Sequence, residues 1–207
     1  MDTYVYAQWR IQENILTGLC RLLDPNDVRR AWGEYTACKN TFDAIRVRNR
    51  IVPASDHLVL LVHGIARSTK TFSAMQQALI DNGYDAVAIS YPSTRQSIEA
   101  SAKGLEKILD NLEGSKTVSF ITHSMGGLVI RQLLSQKSEW QERVAVHRIV
   151  QIAPPESGLR HRSLAGGIRI IPDTLWSRRA AIDAGRGGRT AHAPLSIRHH
   201  CRGQRER

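Results

Sequence analysis

The feature that most limits what this chain can fold into is a series of short apolar runs of strand length, separated by amphipathic stretches of helix length. Leu58-Val59-Leu60-Leu61-Val62 is wholly apolar and ends in His63-Gly64, the pattern of a parallel strand covered on both faces. Thr71 to Asn82 places Phe72, Met75, Leu79 and Ile80 on one helical face, with Asn82-Gly83 as the stop. Ala86-Val87-Ala88-Ile89 is a second buried strand, and Ile98, Ala102, Leu105, Leu109 and Leu112 share one face of a helix closed by Gly114. Thr117 to Ile121 is the third strand, Gly127 to Ser135 a helix apolar nearly all round, and His147 to Ala153 the fourth strand, stopped by Pro154-Pro155. Strands alternating with helices specify right-handed βαβ units. The expected class is therefore α/β, with a doubly wound, mostly parallel sheet in three layers.

Residues 54–158 carry this pattern and form the expected core; the flanks differ. Residues 1–53 read as an N-terminal helical segment, because Tyr4, Tyr6, Trp9, Ile11, Ile15, Leu16 and Leu19 recur loosely at helical spacing until Asp24-Pro25-Asn26 interrupts them. Residues 159–207 hold 11 Arg, no Lys and three acids, with only Ile168-Arg169-Ile170-Ile171 as a short strand pattern among scattered glycines. Such a segment reads as a disordered tail. The loss of lysine, periodicity and strand signals together at Gly158 resembles a reading-frame change.

Charge follows the same division. Of the formal net charge of +10, residues 1–158 contribute little, with 18 Lys+Arg against 16 Asp+Glu. The excess is a property of the tail, where Trp176 alone interleaves with the arginines, so no specific nucleic-acid partner is expected. Cys20, Cys38 and Cys201 are odd in number and far apart, which fits neither a disulfide framework nor a metal cluster; Cys20 and Cys38 read as buried thiols. Trp9, Trp32 and Trp140 read as packing residues. No run reaches the roughly 20 apolar residues of a membrane span, and Met1 to Arg10 lacks a signal-peptide pattern, so the expected location is cytoplasmic.

Chemistry concentrates in Thr122-His123-Ser124-Met125-Gly126-Gly127, between the third strand and an apolar helix. A serine on a sharp strand-to-helix turn presents its hydroxyl at the carboxyl edge of the sheet, where the helix N-terminus favours developing negative charge. Gly126 and Gly127 supply the small residues that let the two backbones pass closely.

This segment resembles the nucleophile elbow, G-x-S-x-G, of the α/β-hydrolase superfamily, and more closely its lipase and esterase members. Ser124 matches the nucleophile, and Thr122 stands in place of the first glycine. Leu61-Val62-His63-Gly64-Ile65 is similar to the family's His-Gly segment after the preceding strand. The resemblance covers residues 58 to 158 and implies an α/β-hydrolase fold lacking its C-terminal strands, with an oxyanion hole from the backbone N–H groups of Ile65 and Met125. His63 and His123 read as pocket-lining and packing residues, since a histidine next to the nucleophile points the wrong way to serve as its base. Tyr91-Pro92-Ser93-Thr94-Arg95 reads equally as a cleft wall or as a turn and helix cap.

The resemblance also implies an acid and then a histidine after the fourth strand. Asp173 and Asp183, with His161, His192, His199 or His200, supply the types in order, but none ends a buried strand pattern. Glu156 is the best-placed acid, in an Ala153-Pro154-Pro155 segment similar to that of bacterial lipase-like hydrolases; its plainer reading is a solvated loop carboxylate. The expectation is a serine hydrolase acting on small-molecule or lipid esters through an acyl-enzyme at Ser124, with no metal or organic cofactor. The alternative is a hydrolase-fold scaffold that binds without reacting. Peripheral membrane contact through the N-terminal aromatic residues is a further expectation.

Overall fold

The computed structural model describes residues 1–154, which form two sheets and the helices packed on them. The second half follows the sequence pattern. Strands β5 (His57–Val62), β6 (Asp85–Ile89), β7 (Thr117–His123) and β8 (Ala145–Ile152) form a parallel sheet in the order β6-β5-β7-β8. Between them lie a 3-10 turn at Thr69–Phe72 leading into α2 (Ser73–Asp81), then α3 (Ile98–Asp110), α4 (Met125–Ser135) and the short α5 (Trp140–Arg143).

The two faces of this sheet are covered by different helices. Leu58, Leu60, Val62, Val87, Ile89, Val118 and Phe120 pack with Leu105, Ile108 and Leu109 of α3 and Val129, Ile130 and Leu133 of α4. The alternate residues Val59, Leu61, Ala86 and Ala88 pack beneath Phe72, with Leu79 and Ile80 of α2. Strands covered on both sides need apolar residues at successive positions, which is why β5 is a continuous apolar run. β8 is the exception: none of its residues is fully buried and Val150 is half exposed, and among the described residues no strand pairs with its outer edge.

Residues 1–53 correct the sequence reading. In place of one or two helices throughout, the structure has a four-stranded antiparallel meander followed by a single helix. The strands are β1 (Asp2–Tyr6), β2 (Trp9–Glu13), β3 (Cys20–Leu23) and β4 (Arg29–Gly33), in sequential order, and the helix is α1 (Tyr35–Asn49). Tyr4, Tyr6, Trp9, Ile11, Cys20 and Leu22 share one face and pack beneath Cys38 and Phe42 of α1. Phe42 meets Tyr4, Tyr6 and Trp9 with ring centroids 5.6 Å apart.

Two local effects hid this meander. The β1–β2 turn uses Ala7 and Gln8, both at positive φ (46° and 67°), the twist a two-residue hairpin requires but without the Gly or Asn that signals it. Asp24-Pro25-Asn26 is a turn, as its composition says, yet it joins two strands: the Asp24 carboxylate accepts from the Asn26 and Val28 N–H groups at 2.9 Å. Of the N-terminal aromatic residues, Tyr4, Tyr6 and Trp9 are buried and Trp32 is exposed. Cys20 and Cys38 are buried free thiols. No helix among the described residues is long and apolar enough to cross a membrane.

The meander is tied to the parallel sheet at the exit of β6. Asp2 N–H donates to the Ser90 carbonyl at 2.8 Å, and Ser90 N–H donates to the Asp2 carboxylate at 2.6 Å. At the other end of β6, burial pushes the Asp85 carboxyl up to about 6, against the pull of the Ala7 backbone amide. A raised carboxyl binds its proton more tightly folded than unfolded. Its contribution to stability is therefore complete below the unfolded pKa and is lost as pH rises through the folded value. Asp85→Asn removes that dependence. In urea unfolding, the variant should gain about 3 kcal/mol on the wild type between pH of roughly 4 and roughly 8, and an unchanged difference across that range would contradict it.

Candidate active site

The strand order places a chain reversal between β5 and β7. The chain leaving β5 turns to the α2 face, whereas the chain leaving β7 turns to the face of α3 and α4. The carboxyl ends of neighbouring strands thus splay apart, and such a switch point leaves the crevice in which open α/β sheets bind ligands. His63-Gly64-Ile65 leaves one side of it and Ser124 the other.

Ser124 is the single residue between β7 and α4, at φ 50° and ψ −122°. That is a conformation L-residues rarely adopt, at roughly 1–3 kcal/mol of strain. Its N–H donates to the Ile152 carbonyl at the end of β8, and its carbonyl accepts from Gly127, both at 3.0 Å. Its side chain makes no cap bond to α4, and among the described residues its Oγ has no partner, so the hydroxyl is free at the positive end of an 11-residue helix.

Two glycines make this turn sterically accessible. A Cβ on Gly126 would lie 2.3 Å from the Val62 carbonyl oxygen, so the first turn of α4 rests directly on the end of β5. A Cβ on Gly64 would lie 3.1 Å from the Ser124 Cβ and 3.0 Å from His123 Nδ1, so the loop leaving β5 passes against the serine. Thr122, where a glycine was expected, is buried and donates weakly to the Val150 carbonyl at 3.4 Å. Its neighbour across the turn is Gly127, where a Cβ would sit at ordinary contact distance, 3.4 Å from Thr122 Oγ1, so the threonine is accommodated without depending on that glycine.

The loop 63–68 is held from behind by the exit of β6. Tyr91 Oη donates to the His63 carbonyl at 2.5 Å, and the two rings stack at 4.4 Å. Ser93 Oγ accepts from the Ala66 N–H at 3.1 Å, steadying a residue at φ 53°. His63 Nδ1 lies 2.8 Å from the Gly64 carbonyl; a carbonyl only accepts, so that nitrogen carries the proton. Burial lowers the His63 pKa, against the raising effect of its hydrogen bond to Gly64, and so favours the neutral ring. His63 is thus fixed within the loop. Tyr91 and Ser93 brace it, a role that neither reading of that segment, cleft wall or turn and helix cap, had named.

The structure brings His63, Gly64, His123, Ser124, Gly126 and Gly127 together through these contacts. Ile65 is exposed and Met125 is half-buried in the first turn of α4. Among the described residues, neither of their N–H groups bonds to a backbone carbonyl. His57 and His147 lie at the opposite, amino end of the sheet. Their rings are 5.1 Å apart, with His57 Nε2 at 2.8 Å from Ser119 Oγ. Glu156, Asp173, Asp183, His161, His192, His199, His200 and the basic tail lie outside the described residues. Among the described residues no group of three or more His, Cys, Asp or Glu side chains could hold a metal ion.

The strain at Ser124 and the contact at Gly126 are both measurable. Ser124→Gly should be more stable than Ser124→Ala by about 1 kcal/mol, the reverse of the ordinary order, because glycine tolerates positive φ. Gly126→Ala should lose roughly 1–3 kcal/mol and more than Gly127→Ala, whose nearest contact would be a flexible Gln151 amide at 3.3 Å. Denaturant unfolding of the four variants checks both orders.

A family model described as a domain of unknown function, DUF7379, matches residues 26–164. That match spans more than half of the chain and takes in β4, α1 and the whole parallel sheet. Among curated proteins nothing matches the chain.

Proposed function

We propose that this chain, which belongs to the DUF7379 family, is a serine hydrolase of lipase or carboxylesterase type, built on the core of an α/β-hydrolase fold, with Ser124 as its nucleophile. The observation that carries the reading is the backbone of Ser124. A non-glycine residue at φ 50° and ψ −122° on a one-residue strand-to-helix turn persists only where the surrounding structure holds it, and such strain clusters at functional sites. The strand order, and the placing of α2 on one face with α3 and α4 on the other, fit the same core.

The chemistry follows from the free groups. Ser124 Oγ attacks the carbonyl carbon of an ester; a carbon–oxygen bond forms to the serine, and the carbonyl electron pair moves onto its oxygen. The Ile65 and Met125 N–H groups, with the α4 terminus behind them, stabilise that oxyanion where the charge appears. Collapse expels the alcohol, which leaves with the serine proton. Water then adds to the acyl-enzyme, releasing the acid and restoring the hydroxyl. Glu156 remains the acid candidate for orienting a base.

A fluorophosphonate probe tests the reading on the full chain: Ser124 displaces fluoride and becomes covalently labelled. Labelling should occur on wild type, be absent in Ser124→Ala, and be accompanied by hydrolysis of a p-nitrophenyl acyl ester that the variant loses. Equal labelling of the variant would remove Ser124 from the mechanism. A folded wild type that binds ester analogues without being labelled would favour the scaffold reading.

A further inference from the structure

The loops framing Ser124 carry an unbalanced charge. Residues 63–72, leaving β5, hold Arg67 and Lys70, and residues 90–97, leaving β6, hold Arg95; neither segment contains Asp or Glu. All three cations are exposed, and among the described residues none joins an ion pair. The Ala66–Ser93 hydrogen bond at 3.1 Å fixes these loops side by side, next to Arg67 and close to Arg95 in sequence, while Gly64 packs on the serine itself.

Glu99, in the first turn of α3, is exposed and held below the usual carboxylate range, so its negative charge offsets one of the three cations. Asp2, behind Ser90, is buried, accepts the Ser90 N–H at 2.6 Å, and lies 3.7 Å from Arg10. The two loops with the start of α3 therefore keep an excess of positive charge next to Ser124, and the α4 terminus adds to the same sign.

We propose that the ester accepted at Ser124 carries an anionic group, a carboxylate or a phosphate, held by Arg67 and Arg95 beside the nucleophile. This rests on the serine-hydrolase reading and adds the substrate class. A unit charge roughly 8 Å away through water changes an anion's local concentration about twofold, so the two arginines together give an anionic substrate an advantage of about fourfold at low salt. That advantage shrinks as salt screens it.

The test uses the full chain and two fluorophosphonate probes of equal chain length, one ending in a methyl group and one in a carboxylate. Wild type should label faster with the carboxylate probe. The ratio should fall about twofold in Arg67→Gln and in Arg95→Gln, approach one in the double variant, and stay unchanged in Arg29→Gln on the distant β4. All these arginines are exposed, so the substitutions leave the core intact. A ratio near one in wild type, or one insensitive to the double variant, overturns the proposal. So does a preference seen only when the carboxylate probe is presented on phosphatidylglycerol vesicles, which would assign the charge to a membrane surface. Absence of labelling by either probe is a different failure, because it removes the nucleophile rather than the substrate class.

Discussion

The contact on which the rest of this site depends is between two backbones. The first turn of α4 sits so close to the end of β5 that a Cβ at Gly126 would come within 2.3 Å of the Val62 carbonyl oxygen. For a helix to begin there, the chain leaving β7 must reverse within one residue, and Ser124 takes up the whole change at φ 50°. The strain, roughly 1–3 kcal/mol, is outweighed by what the close approach allows. Val129, Ile130 and Leu133 of α4 are buried against the sheet, at roughly 1.5–3 kcal/mol each. Packing therefore fixes the turn, and the turn aims the hydroxyl.

The parallel half of the fold was legible in the sequence because its physics leaves a coarse pattern. A strand covered on both faces is mostly apolar at successive positions, and β5, β6 and the centre of β7 were readable as runs, with ends differing by a few residues from the structure. The meander was not legible for a related reason. β1 is buried at all five positions, with Val5 facing the parallel-sheet core and Tyr4 and Tyr6 facing α1, so the alternation that marks a half-exposed strand is missing. Ala7 and Gln8 give no turn signal, and Tyr4, Tyr6, Trp9 and Ile11 then fit helical spacing loosely enough to mislead.

At the site, the residues whose requirement is local were readable and those acting across loops were not. His63-Gly64 and Ser124 to Gly127 are demanded by close backbone approach within a few residues. Thr122 is accommodated without demanding space from its neighbours, since even a Cβ on Gly127 would lie at ordinary contact distance from its hydroxyl; an elbow pattern that insists on a glycine there is stricter than the packing requires. Tyr91 and Ser93 act on His63 and Ala66 through hydrogen bonds spanning 28 and 27 residues of sequence, and no spacing rule records such a pair.

Where a proton acceptor for Ser124 should be sought follows from the same geometry. Residue type alone misleads: His57 and His147 are brought together at the amino edge, the latter at a register shift between β7 and β8, a full strand length from the serine. His63 is held by Gly64 and Tyr91, and the His123 ring packs against the Gly64 loop. The Ile152 carbonyl, however, accepts the Ser124 N–H at 3.0 Å, so the chain leaving β8 at Ala153-Pro154 sets out directly beside the nucleophile. Residues that follow a strand ending there need only a short span to reach the hydroxyl, since a few extended residues cover on the order of 10 Å. On the serine-hydrolase proposal, the end of β8 is thus a described part of the chain that stands next to the nucleophile.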